Sequence, residues 1–232
     1  METMRFIDKP LNEIPVDINE VFILMGYGEH TPPQDIIDMI NEMLDELQSI
    51  CIPHYGYRLF EGEEIDREHL RVSNIILNPG RIITSAMREV EQYAIFTSTV
   101  GQGFDKWFKQ LKDEDDIVRT FIANTLGSVL AESTVSVLMK ELEEAAAAEG
   151  LRITKNYSPG YCDWVLIEQK KIFSLFPDEI TGIKLTDSCL MLPIKSVSGI
   201  IGVGANAKKR PYGCAICNMT SCIKNMKKQK AN

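Results

Sequence analysis

The chain has 232 residues, of which 44% are apolar, so it is long enough to bury the core of one large domain, or of one domain with a small appendage. It has no run of about 18 or more apolar residues, and METMRFIDKPLNEIPVD has neither a basic n-region nor an apolar h-region. These features predict a soluble, unexported, cytoplasmic protein with no membrane partner. The net charge of -8 is unevenly spread: all 33 acidic residues lie at or before Asp187, while eight of the 25 Lys and Arg follow it. That basic end lacks the interleaved aromatics of a nucleic-acid surface, which argues against a nucleic-acid partner. It reads equally as an arm for an anionic partner or as a solubilising tail.

In chain order, Thr31-Pro32-Pro33-Gln34 predicts a helix start, with Thr31 as the cap and proline at the first helical position. Ile36, Ile37, Ile40, Met43, Leu44 and Leu47 then keep one face apolar until Pro53, an amphipathic helix of about 18 residues. HYGYRLF, VSNIILN and YAIFTSTV are alternating, β-branched or continuously apolar, and read as strands of a sheet. GFDKWFKQLK reads as a short helix. From about Asp115 to Glu149 a steady helical period with one glycine predicts the longest element. Its apolar stripe is expected to hold Val118, Phe121, Ile122, Thr125, Val129, Val137, Leu138 and Leu142. Ala123, Gly127 and Ala131 stand four apart on a neighbouring stripe, where another backbone or a ligand can come close. LRIT, a helical EQKKIFSLF, IKLTDSCLMLP and SVSGIIGVG complete an alternation of short strands, turns and one helix.

Six cysteines in an unexported chain predict reduced thiols or metal ligands rather than disulfides. Cys214, Cys217 and Cys222 crowd into nine residues with C-x2-C-x4-C spacing, three of the four thiolates that a zinc or iron–sulfur site requires. Cys51, Cys162, Cys189, a second chain, or nothing from the protein is left as the source of a fourth, and reduced thiols on a tail remain the other reading. Gly202-x-Gly204-x-x-Ala207 has the form of a dinucleotide fingerprint, but Lys208-Lys209-Arg210-Pro211 follows and no acidic residue remains downstream. It is read as an exit from the last strand. His30, His54 and His69 form no catalytic or metal-binding spacing and are assigned no chemistry.

The most informative stretch runs from Tyr157 to Trp164, YSPGYCDW. Pro159 fixes one backbone angle and Gly160 permits another, so the segment predicts a tight turn that leaves unpaired backbone groups beside the Tyr161 ring. An ordinary turn ahead of a core Trp is the bland alternative. The order of segments adds to this: LGSVLAES on the long helix, then SPGYCDW, then a helix opening at Glu168-Gln169, then LTDSCLMLPIKSVSG from Leu185 to Gly199. That series resembles the activation domain of cobalamin-dependent methionine synthase, most closely over residues 115–204, loosely over the N-terminal third, and not over the cysteine-rich tail.

The resemblance implies an α+β fold, a twisted, mainly antiparallel sheet with long helices. It would span residues 1–205, with 206–232 as a basic, Cys-rich C-terminal tail. It also implies a shallow S-adenosylmethionine site in which Pro159, Gly160 and Tyr161 embrace the ligand, while Glu132 pairs with its ammonium or sulfonium charge. No residue is assigned a catalytic role. The implied chemistry is reductive methylation of cob(II)alamin, with the cobalamin held by a partner and one electron supplied by a flavodoxin-like or ferredoxin-like donor. Two departures are visible: Asn156 stands where the family has a carboxylate-clamping Arg, leaving Lys155 or Arg152 as substitutes, and Ile200-Ile201-Gly202 stands where the family has a tyrosine. The chain also lacks the D-x-H-x-x-G box of cobalamin-binding modules. The expected function is therefore that of a freestanding activation module, acting in trans on a methionine synthase or related corrinoid protein. The alternative is a corrinoid-protein or electron-transfer accessory that uses a C-terminal metal or iron–sulfur centre without S-adenosylmethionine.

Overall fold

The computed structural model describes residues 4–28, 30–177 and 179–212. Among these, β-branched and aromatic segments form nine strands: β1 (Met4–Asp8), β2 (His54–Glu64), β3 (Leu70–Val72), β4 (Ile75–Leu77), β5 (Gln92–Thr99), β6 (Arg152–Tyr157), β7 (Lys184–Leu185), β8 (Met191–Leu192) and β9 (Ser196–Gly204). Six of them run in the order β4-β3-β2-β5-β9-β6, and β1 joins the free edge of β2 at His54–Arg58, beside β3 at Gly62–Glu64. Every pairing is antiparallel. β7 and β8 form a separate two-stranded pair.

Six α-helices accompany the strands: α1 (Ile18–Leu24), α2 (Gln34–Ile50), α3 (Gly80–Ala86), α4 (Gln102–Asp113), α5 (Ile117–Ala148) and α6 (Gln169–Phe173). The central strands β5 and β9 are buried on both faces, because successive side chains point opposite ways and each face has its own cover. On one face Ala94, Phe96 and Ile201 meet Val135, Leu138 and Leu142 from the second half of α5. On the other, Tyr93, Ile95 and Ile200 meet Ile83 of α3 and Trp164, Ile172 and Phe176 of the segment after β6. The first half of α5 leaves the sheet and packs Ile122, Leu126 and Leu130 among α1, α2 and α4.

The expected α+β architecture is therefore the observed one, with differences at element ends and faces. α2 begins at Gln34, and Pro33 rather than Thr31 holds the cap position, with no side-chain cap. Pro32 cannot start the helix because a residue ahead of proline is pushed out of the α region. VSNIILN is split into β3 and β4 by a turn in which Ser73 takes φ 53°. The predicted stripe of α5 also shifts: Val118 and Phe121 are exposed, whereas Leu126, Leu130, Thr134 and Val135 are buried. A helix flanked by both a sheet and other helices is covered over most of its circumference, so a single stripe does not describe it. Two thirds of its most apolar stretch lies inside the fold (67%).

Two glycines set the closest approaches of α4 and α5. A Cβ on Gly103 would lie 1.8 Å from Ile50 O, so the first turn of α4 fits against the last residues of α2 only without a side chain. A Cβ on Gly127 would meet Phe104 Cζ at 2.3 Å and Lys195 Cε at 2.8 Å. The small-residue stripe of α5 is thus filled by side chains of this chain, at Gly127 by those of Phe104 and Lys195.

Candidate functional site

Ser158 to Trp164 forms two overlapping turns. Tyr161 N–H donates to Ser158 O at 3.2 Å with Gly160 at φ 91°, the left-handed angle that a type II turn needs at its third residue. Trp164 N–H then donates to Tyr161 O at 3.0 Å, with Cys162 and Asp163 both left-handed at φ 53° and 66°. Gly160 N–H donates to Trp164 O at 2.7 Å and ties the two turns together. The expectation of unpaired backbone groups beside Tyr161 is corrected here: the N–H groups of Gly160 and Tyr161 are used within the turn. What the turn presents is the Tyr161 side chain, 45% exposed, while Pro159 is buried.

Trp164 anchors the turn, with its ring 1% exposed among Tyr157, Ile172 and Phe176. Its Nε1 has no hydrogen-bond partner among the described residues, and the same holds for Gln169 Oε1, whose Nε2 donates to Ser198 Oγ at 3.0 Å. Glu168, also buried, accepts from Asn78 N–H at 2.8 Å and pairs with Lys171 Nζ at 2.6 Å, which fixes the start of α6 against the loop before α3. Val165, Leu166 and Ile167 stand about half exposed beside the turn, at 57%, 47% and 55%. Leu166 Cδ1 lies 3.6 Å from the position of a Cβ on Gly160.

Glu132 is exposed on α5, one turn beyond Ser128. Lys195, the residue before β9, reaches back to that helix and donates to Asn124 O and Oδ1, both at 2.8 Å, and to Ser128 Oγ at 2.9 Å. Burial holds the Lys195 ammonium down to about 8, with Lys112 adding to this and Asp105 opposing it. β6 ends at Tyr157, opposite Ile200, so the turn after it continues alongside the first half of β9. Lys195 ties Ser128, one turn before Glu132, to the start of β9, the end toward which the turn after β6 runs, while Cys162 and Trp164 of that turn pack in the layer on the other side of the sheet.

The two substitutes for the family Arg separate clearly. Arg152 lies opposite Gly204 at the far end of β6 from the turn. Lys155 Nζ sits 4.6 Å from the centre of the Tyr212 ring, whose hydroxyl donates to Asn156 Oδ1 at 3.1 Å and Asn156 O at 3.2 Å. Cys214, Cys217 and Cys222 lie outside the described residues, and among the described residues no group of three or more His, Cys, Asp or Glu is placed to hold a metal. Gly202 and Gly204 lie in β9 with no helix opening at them, as their rejection as a dinucleotide motif requires.

The family model described as vitamin B12 dependent methionine synthase, activation domain, matches residues 82–229. The chain belongs to that family. The match is wider than the motif resemblance over 115–204 and takes in the three tail cysteines. A solved structure described as the MetH reactivation domain bound to AdoHcy superposes on this activation domain with a TM-score of 0.70 at 16% identity, over 90% of this chain and 81% of that one. Its α+β architecture is thus shared by a reactivation domain. Lys195 and the Val165–Ile167 ridge are features of this end of the fold that sequence did not single out. Lys195 lies inside the LTDSCLMLPIKSVSG run, at a position where the resemblance matched no particular residue. Three successive apolar residues carry no period, so nothing in them signalled exposure.

Proposed function

We propose that this activation domain binds S-adenosylmethionine between Glu132 and the Pro159-Gly160-Tyr161 turn and presents its methyl group to cobalamin held by a separate methionine synthase or related corrinoid protein. The observation that carries the reading is the double turn at 158–164, which pairs the N–H groups of Gly160, Tyr161 and Trp164 internally and offers the half-exposed Tyr161 side chain, while Glu132 stands exposed on α5. A flat ring suits the adenosine moiety, and a carboxylate suits the ammonium or sulfonium charge. Further support is the shared fold of a reactivation domain described as bound to AdoHcy, the species left when the methyl group departs.

In this reading an external flavodoxin-like or ferredoxin-like donor supplies one electron that takes Co(II) to Co(I). The Co(I) electron pair then forms the bond to the methyl carbon, and the C–S pair stays on sulfur to give S-adenosylhomocysteine. The protein's part is positioning. The ridge of Val165, Leu166 and Ile167 beside the turn is the face we assign to the corrinoid protein, since apolar side chains grouped at a ligand site exclude water on docking.

Isothermal titration of S-adenosylmethionine into the anaerobically purified chain tests the proposal, with S-adenosylhomocysteine as the comparison. Micromolar binding, about -8 kcal/mol, is expected for the first. Absence of both heat and thermal stabilisation would remove S-adenosylmethionine from the function.

A further inference from the structure

We propose that Lys195 is a positioning residue for S-adenosylmethionine binding: its side chain pins the part of α5 that carries Glu132 to the start of β9, the end toward which the Tyr161 turn runs. The inference rests on the S-adenosylmethionine reading above. An ammonium group carries three N–H donors and no acceptor. Lys195 Nζ has three acceptors within reach, Asn124 O and Oδ1 at 2.8 Å and Ser128 Oγ at 2.9 Å, so every donor is used on α5. The backbone around it is held as well. Val100 N–H, just beyond β5, donates to Lys195 O at 2.9 Å, and Ile194 N–H donates to the Asp105 carboxylate of α4 at 3.0 and 3.2 Å. Gly127 leaves the space for the lysine stem, since a Cβ there would lie 2.8 Å from Lys195 Cε. Ile194 and Lys195 thus fasten α4, α5 and the end of β5 to the entry of β9.

What lies on either side of this pin makes it matter for a ligand. Ser128 is one turn before Glu132 on the same face of α5. The Glu132 carboxylate has no hydrogen bond or ion pair of its own among the described residues, so its position is set by the helix beneath it. The pin falls within the stretch of α5 from Ile122 to Ala131 that packs with α1, α2 and α4 rather than on the sheet, the half of the helix that sheet packing does not fix. On the opposite layer, Gln169 Nε2 donates to Ser198 Oγ at 3.0 Å. The first residues of β9 are thus held to α5 on one side and to the segment that follows the Tyr161 turn on the other. The pin is strongest when the amine is charged, because a neutral amine keeps two donors and must release one of its three acceptors. Asp105 and Lys112, both on α4, are the charged groups that act on it, while α5 meets it with the neutral Asn124 and Ser128 and the end of β5 with a backbone N–H. Burial holds the group down to about 8, so the three bonds are complete below that pH and one is lost above it.

The test is calorimetric titration of S-adenosylmethionine into the full chain on both sides of the lysine's value, with thermal midpoints measured alongside. The unsubstituted chain is expected to lose about tenfold in affinity as pH rises through about 8, the worth of one hydrogen bond to a charged group. Lys195→Arg, which stays charged throughout, should match the parent at low pH and keep its affinity at high pH. Lys195→Met should bind as weakly at low pH as the parent does at high pH. The ligand's own α-amino group titrates at about 7.7–8.0, but it does so against every variant, so the difference between the parent and Lys195→Arg profiles is the readout. A purely structural role would lower affinity without making it follow pH in this way. Should a Lys195 variant fail to fold, Asn124→Ala keeps the lysine and removes one acceptor at an exposed position, and it should weaken binding at low pH with a midpoint close to the parent's. Coincident pH profiles for the parent and Lys195→Arg, or unchanged affinity in Lys195→Met or Asn124→Ala, would overturn the role of Lys195 and leave the ligand site in place. No binding by the parent at any pH would instead remove the S-adenosylmethionine reading, and this role with it.

Discussion

At the residue scale, single side chains at the end of β9 separate binding from folding. Tyr161 is nearly half exposed and Glu132 is exposed, and neither belongs to the core. Tyr161→Ala and Glu132→Ala are therefore expected to weaken S-adenosylmethionine binding by about tenfold or more, ~1.4 kcal/mol, with an unchanged denaturation midpoint. Unchanged calorimetric affinity in both variants would place the ligand elsewhere. Gly127 shows the opposite behaviour. Its missing Cβ leaves room for Phe104 and the Lys195 stem, and Gly127→Leu is expected to cost at least about 1–3 kcal/mol by overpacking. Urea denaturation measures that cost, and a variant as stable as the parent would show that α4 yields easily. The close approach at Gly127 was legible from the spacing of Ala123, Gly127 and Ala131, but its occupant was not. Periodicity reports that a helix face is narrow, whereas the side chains that fill it arrive from residues 23 and 68 positions away.

At the element scale, ends and faces depend on neighbours. α5 is capped by Asp116, whose carboxylate accepts from Arg119 N–H at 2.9 Å, and its first turn nevertheless leaves Ile117, Val118 and Phe121 outside the core. The helix signal in the sequence was sound, and the orientation was not readable because three different layers cover its length. The five-residue α6 is too short to hold itself by propensity. Glu168 secures its start through the Asn78 N–H. Glu168→Ala is expected to destabilise the chain by about 1–3 kcal/mol, because that amide is then left without its acceptor. Amide hydrogen exchange should show faster opening of residues 157–176 than of β5 in that variant. Equal protection in both would mean that Trp164 alone anchors the segment.

At the scale of the whole molecule, burial makes stability depend on alkaline pH through opposing groups. Burial, helped by the charge of Asp105, raises the Cys51 thiol from 9.0 to about 12. Burial likewise raises the Tyr93 and Tyr157 hydroxyls from 10.0 to about 12. Above pH 9, and more strongly above 10, the unfolded chain releases protons that the folded one keeps, so stability falls. Lys195 works the other way: with an ordinary value of 10.5 lowered to about 8, its folded form releases a proton first, so stability rises between pH 8 and 10.5. The sum is a loss that sets in near pH 10. Lys195→Met should bring the onset down to near pH 9, read from denaturation midpoints across that range. An onset that does not move would show that Lys195 stays charged in the folded state.

The sequence by itself determined the types of α2, α4, α5 and the main strands from hydrophobic period, and the family, with the α+β class that it implies, from the runs SPGYCDW and LTDSCLMLPIKSVSG, because these are local properties of the chain, whereas α1, α3 and β1 carried no such signal. It also determined the tight turn, since Pro159 and Gly160 restrict their own backbone angles. Only the tertiary structure decided toward which end of β9 the Tyr161 turn runs, and that Arg152 lies at the far end of β6 from it. Those outcomes rest on strand register and on which layer covers each face of the sheet. A register brings together residues far apart in sequence, and no local pattern records that pairing.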